Sequence, residues 1–236
     1  MDAPAPPPAG RQEAQVRVLD VVVAQLRLCV ATLALAGTQE VWREGDLGGL
    51  VYFTNLSNLS FALVLVWAAV ASLAGRGHPP AVLKAGVTLF LLITGLVSWL
   101  VLAPGAPGAP AVALGLTGGQ IEHEVVPVAA LLDFLLLDAH RRLRWRAVAW
   151  WVGALLLYCA VTTARGLLVP GAGYPYGFVD LGALGWGGLL RNVLAYGTAF
   201  AGLGALLVLA DRRLPAGALV GTAGHPVALR QEAAGR

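Results

Sequence analysis

Apolar residues run along this chain in long stretches separated by short polar ones. Six such stretches stand out, at about 17–36, 52–74, 82–102, 121–139, 147–169 and 188–210. Each comes close to the roughly 20 residues an α-helix needs to cross the hydrocarbon core of a bilayer. The expected fold is therefore all-α: a polytopic membrane protein built as a six-transmembrane-helix bundle over 16–211. A flexible Pro/Ala-rich tail is expected at 1–15 and a second flexible tail at 212–236. The first stretch is the least apolar, with Asp20, Gln25 and Arg27 inside it. Its long Pro-rich start and the internal Arg27 argue for a retained helix rather than a cleaved signal peptide.

Composition narrows the function classes. Of 236 residues, 58% are hydrophobic and only 12% are charged, against about 25% charged in ordinary soluble domains. Mean hydropathy is +0.73. A soluble globular protein, a disordered chain and a secreted disulfide scaffold are excluded, and six spans leave no room for a separate water-soluble catalytic domain. Cys29 and Cys159 both lie inside apolar stretches. They offer neither a disulfide framework nor metal-ligand spacing, and they read as packing residues.

Net charge is only +3, but its placement is uneven. Arg11 and Arg17, Arg76 and Lys84, the four arginines of 140–146, and Arg212 with Arg213 all fall on one side of the predicted spans, at both termini and in every second link. The links 103–120 and 170–187 hold no Lys or Arg, and 37–51 holds only Arg43 beside Glu40, Glu44 and Asp46. Basic residues favour the cytoplasmic side, which places both termini in the cytoplasm. The expected location is the cell inner (cytoplasmic) membrane, as a multi-pass protein. The basic loop 140–146 reads as an anchor to anionic lipid head groups. It is too small a basic surface for nucleic acid. Membrane lipids are the expected partners, and no oligomeric state follows from the sequence.

Polar side chains inside hydrocarbon are costly, so they mark candidate sites. Thr54, Ser57 and Asn58 recur at steps of three and four at the outer end of the second span, and so share one helical face. They form either a hydrogen-bonded seam between helices or part of a site. The fourth span opens with Glu122-His123-Glu124 and continues through Pro127 to Asp133, which lies about 15 Å deeper than His123. Arg27 and Asp133 sit at similar depth from the cytoplasmic side and are expected to pair. Arg165 and Arg191 flank the loop 173–180, whose Tyr174, Tyr176 and Phe178 suit either a lid or an interfacial aromatic belt. Asp180 is placed to hold one of those arginines. His123 is the sole histidine near the outer end of a span, since His78 and His140 lie in cytoplasmic links and His225 in the tail. No cofactor or metal is expected.

Three stretches taken together carry a resemblance: Tyr52-Phe53-Thr54-x-x-x-Asn58, His123-Glu124-Val125-Val126-Pro127 with Asp133, and Tyr174-Pro175-Tyr176-x-Phe178-x-Asp180. They look like the signatures of a prokaryotic six-transmembrane integral membrane protein family of unknown function, over roughly 17–210. More remotely, the chain is similar to the eukaryotic androgen-induced and androgen-dependent TFPI-regulating membrane proteins. Those are six-span threonine hydrolases that cleave fatty acid esters of hydroxy fatty acids. The resemblance puts Thr54 at the position of their threonine and His123 at that of their histidine, and likens the Tyr174-Pro175 loop to their Tyr-Pro loop.

What this implies is a threonine hydrolase acting on amphiphilic lipid esters from the outer leaflet. A threonine hydroxyl needs a base within about 3 Å to act as a nucleophile, and an imidazole is a suitable base. Thr54 is then the nucleophile and His123 the base. Asn55, Asn58 or a nearby arginine is a candidate oxyanion donor. The group that orients His123 is either missing or one of Glu122, Glu124 and Asp180. The alternative is a transporter or a small-ligand-binding membrane protein, in which the buried Arg27 and Asp133, with Arg165 and Arg191, line a pathway. A structural or assembly role is the third possibility.

Overall fold

The computed structural model describes residues 9–43, 45, 47–74, 77–102 and 109–221, with side chains from Val18 onward. Glu44, Asp46, Arg76 and His225, the side chains of Arg11 and Arg17, and segments 1–8, 103–108 and 222–236 lie outside the described residues. The chain is mostly helical: α1 (Ala9–Gly37), α2 (Gln39–Arg43), α3 (Phe53–Ala74), α4 (Ala81–Val97), α5 (Gly118–Gln120), α6 (Val126–Leu132), α7 (Arg146–Leu168) and α8 (Leu181–Arg213). A two-stranded antiparallel hairpin, β1 (Ala111–Ala113) with β2 (Leu116–Thr117), precedes α5. Helix α1 begins inside the stretch expected to be a tail. It starts just after the Pro6-Pro7-Pro8 run, where good helix formers take over.

Among the described residues, five helices are long and apolar enough to cross a membrane: Val18–Gly37, Phe53–Ala74, Ala81–Leu102, Arg146–Leu168 and Leu181–Arg213. This makes the chain a multi-pass, all-α membrane protein. The stretch 121–139, expected as one further span, is helical from 118 to 137 but is interrupted twice by π-turns, at Ile121–Val125 and Asp133–Leu137. Pro127 accounts for the first. It has no amide hydrogen and its ring crowds the carbonyl four residues back, so the ladder widens and the Val126 amide bonds to the Ile121 carbonyl, five residues back. π-turns often coincide with functional positions, and this one carries His123.

Small residues let the helices approach. Ala31 and Ala34 of α1 pack with Phe61, Ala62 and Leu65 of α3, Val87 and Leu91 of α4, and Ile121, Val126 and Ala130. A second core joins Leu89 of α4 to Trp151 of α7 and Leu207 and Val208 of α8. The Trp151 ring lies against Gly86 and Gly204 and donates its Nε1–H to the Val82 carbonyl at 2.9 Å. Outward faces stay apolar, with Leu63 71%, Trp150 70% and Leu168 78% exposed. Such surfaces suit contact with lipid, not water.

The two ends of the bundle differ chemically. At one end Arg27, buried to 2% exposure, donates Nε–H to Asp133 at 2.8 Å and Nη2–H to Asp138 at 3.0 Å. Lys84 contacts both carboxylates. Arg27 and Asp133 thus meet as their depths suggested, but within a neutral group of four. The neighbouring loop is pinned by Asp211, which accepts from the amides of Arg142 at 3.0 Å and Leu143 at 2.8 Å. The chain does not leave the bundle at Arg213, since the Val220 amide bonds to the Leu136 carbonyl at 2.8 Å. The other end carries Thr54, His123 and the aromatic loop.

Candidate functional site

Thr54 is the second residue of α3, and His123 sits in the first π-turn. Thr54 Oγ1 and His123 Nε2 lie 3.3 Å apart. His123 Nδ1 lies 2.9 Å from the Gly119 carbonyl. A carbonyl can only accept, so in the neutral imidazole Nδ1 carries the hydrogen and Nε2 turns its lone pair toward the threonine hydroxyl. The orienting group is therefore a backbone carbonyl one turn earlier. Glu122, Glu124 and Asp180, the carboxylates expected in that part, do not fill it, and a backbone acceptor leaves no trace in residue identity.

The surrounding polar face of α3 fixes this geometry. Ser57 Oγ and Asn58 Nδ2 each lie 2.9 Å from the Thr54 carbonyl. Asn58, fully buried, also reaches the Glu122 carbonyl at 3.4 Å and so ties α3 to the His123 turn. Ser57 Oγ and Thr94 Oγ1 are 3.0 Å apart, joining α3 to α4. The Asn55 amide is engaged elsewhere, donating to the Gly49 carbonyl at 2.8 Å. Gly95 admits the carbonyl that Pro127 frees: a Cβ there would stand 3.0 Å from the His123 oxygen.

The loop between α7 and α8 closes over the pair. Arg165 straps it by donating Nη1–H to the Ala172 carbonyl at 2.9 Å and the Gly173 carbonyl at 3.2 Å. Asp180 accepts from the Ala183 amide at 3.1 Å and caps α8, so it serves the helix rather than an arginine. Arg191 is exposed on α8. Tyr176 stacks on Phe178 with ring centroids 5.0 Å apart and meets Tyr52 edge-on at 6.0 Å. Its phenol interacts with the Thr54 hydroxyl and with the amides of Thr54 and Phe53. Burial raises the Tyr176 phenol above its ordinary value, and those hydrogen bonds pull it partly back. It therefore stays protonated and able to donate.

Tyr174 lies in a notch made by Gly166, where an added Cβ would overlap the ring. Gly166→Ala is expected to unseat this loop at a cost of about 1–3 kcal/mol. Limited proteolysis should then cut within 169–180 well before the helices. Equal resistance in wild type and variant would show that Tyr174 does not hold the loop.

Below Thr54 and His123 an apolar cavity of about 840 Å³, counting its mouth, runs between α4, α7 and α8. Ile93, Val97, Leu155, Val193 and Phe200 line it, together with Tyr158 and Tyr196. Tyr158 donates to the Val51 carbonyl at 2.7 Å, steadying the turn before α3. Among the described residues no cluster of three or more His, Cys, Asp or Glu is arranged to hold a metal. No family model, curated protein or solved structure matches the chain.

Proposed function

We propose that the protein is a six-span membrane hydrolase that cleaves amphiphilic esters, with Thr54 as nucleophile and His123 as base. The observation that carries this is the 3.3 Å approach of Thr54 Oγ1 to His123 Nε2 at the mouth of an apolar cavity. The broken helix 118–137 is the sixth span, and the basic links face the cytoplasm of a cell inner membrane. The pair then opens toward the outer leaflet. Similarity to the androgen-induced family of threonine hydrolases, read from the three motifs, points the same way.

In the first half-reaction Thr54 Oγ forms a bond to the ester carbonyl carbon as its proton passes to His123 Nε2. The oxyanion that develops is stabilised by the Tyr176 hydroxyl and by the amides of Phe53 and Thr54 beside it, at the first turn of α3. The carbon–oxygen bond to the alcohol breaks, and the imidazolium returns the proton to the departing oxygen. Water then attacks the acyl-threonine with the same base, which releases the acid and restores Thr54. His123 holds its tautomer through the Gly119 carbonyl throughout.

A second reading, transport or small-ligand binding, rests on a cavity of about 510 Å³ bordered by His78, Lys84, Asp138 and Arg142. Lys84 and Asp138 are already engaged with each other, and with Asp133 and Arg27, which favours the hydrolase. Labelling of the purified protein by an alkyl fluorophosphonate decides the matter. Wild type should be labelled at Thr54, and Thr54→Ala should not. A well-folded wild type that resists labelling would remove the hydrolase reading.

A further inference from the structure

We infer that the cavity below Thr54 measures the acyl chain, that Gly197 lies along its lower wall, and that Phe200 and the Trp151 plug limit its depth. The inference rests on the reading of Thr54 as the acyl acceptor and names the chemistry of its substrate: an ester whose unbranched acyl chain is about ten carbons long.

The depth follows from the helices. Asn192 marks the top of the cavity on α8, since its Nδ2 donates to the Phe178 carbonyl in the covering loop at 3.0 Å. Phe200, eight residues further, marks the lower end, about 12 Å away at 1.5 Å per residue. On the antiparallel α7, Cys159 to Val152 covers seven residues, about 10 Å. On α4 the lining residues Ile93, Thr94 and Val97 border only the upper part of the cavity, level with Gly95, which faces the His123 carbonyl. Just past Val152 the Trp151 ring fills the space between Gly86 and Gly204. With C–C bonds near 1.5 Å, an extended chain advances ~1.25 Å per carbon, so 12 Å takes up about ten carbons.

Selection by such a cavity is steric. A chain already dissolved in lipid gains little from entering another apolar space, so affinity does not rise steadily with length. A chain that is too long must bend or leave its ester carbon away from Thr54. Gly197 faces the cavity, and a Cβ there meets nothing within 4 Å. Leucine at that position would project into open space and shorten the channel without colliding with the wall.

The test uses the full chain with Cys29→Ser, which leaves Cys159, a lining residue, as the single cysteine. Alkyl fluorophosphonates of six to sixteen carbons report the reaction at Thr54: Oγ bonds to phosphorus, fluoride leaves, and His123 takes the proton. Alcohols of the same lengths report occupancy alone, through protection of Cys159 from a methanethiosulfonate reagent. Labelling should peak near ten carbons and fall roughly tenfold or more by sixteen. Gly197→Leu should move the peak down by about four carbons, the size of the added side chain, and Phe200→Ala should move it up. Labelling of Thr54 that ignores chain length in all three proteins would overturn the ruler and leave the hydrolase standing. Protection of Cys159 that follows length and shifts with Gly197→Leu, without any labelling, would keep the ruler and remove the hydrolase. Absence of both signals in folded protein overturns both.

Discussion

Lys84→Met is expected to lower the thermal midpoint of the detergent-solubilised protein by about 6–20 °C, the equivalent of roughly 3–5 kcal/mol. Lys84 is 5% exposed and contacts Asp133 and Asp138, while Arg27 binds the same two carboxylates. Two cations and two anions form a neutral unit whose members satisfy one another. Removing one cation leaves two carboxylates to share Arg27, with net negative charge where water is scarce. The cost comes from the charge left behind rather than from the lost pair itself. Removing an anion with it should therefore restore stability, and Lys84→Met combined with Asp138→Asn is expected to regain most of the lost midpoint. A single variant that melts within 2 °C of wild type would show that the cluster is hydrated or rearranges freely. Activity toward esters should follow the amount of folded protein, because the cluster and Thr54 occupy opposite ends of the bundle.

That cluster also shows where sequence reading stops. The pairing of Arg27 with Asp133 was legible, because each alone in an apolar span demands a partner of opposite charge at similar depth. Lys84 was not, because it lies within four residues of Pro79-Pro80 and resembles the flank of a loop. The helix starts at Ala81, within a residue of the expected 82, and the packing of its first turn brings Lys84 against the two aspartates. Asp138 likewise looks like the end of a span, and it does end the π-turn 133–137, yet its carboxylate turns inward to Arg27 and Lys84. The polar face of Thr54, Ser57 and Asn58 was readable from its spacing, since α3 is a regular helix there. The approach of α3 to the His123 turn was not, because it depends on Gly37, Gly95 and Asn58 making room and contact between helices distant in sequence. The break in the helix 118–137 was not legible, because Pro127 looks harmless in the first turns of a span from 121, whereas the helix already begins at Gly118 and the missing amide falls inside it.

His123→Ala is expected to cut turnover of a ten-carbon p-nitrophenyl ester by about 10²–10⁴-fold, the usual contribution of a general base. KM should change by no more than about twofold, because the chain is held by apolar walls on α4, α7 and α8 that do not involve the imidazole. Thr54→Ala should abolish the covalent acyl intermediate altogether. A purely structural role for His123 would give a different pattern: rate, KM and thermal midpoint would worsen together as the turn before Pro127 lost its bond to the Gly119 carbonyl. Added imidazole separates the two cases further. It can enter the space vacated by the ring and accept the Thr54 proton, so partial recovery of rate in His123→Ala, with none in Thr54→Ala, marks the histidine as the base. Turnover in His123→Ala equal to that of wild type would mean that the 3.3 Å contact is a packing contact between α3 and the broken helix, and the proposed chemistry would fall with it.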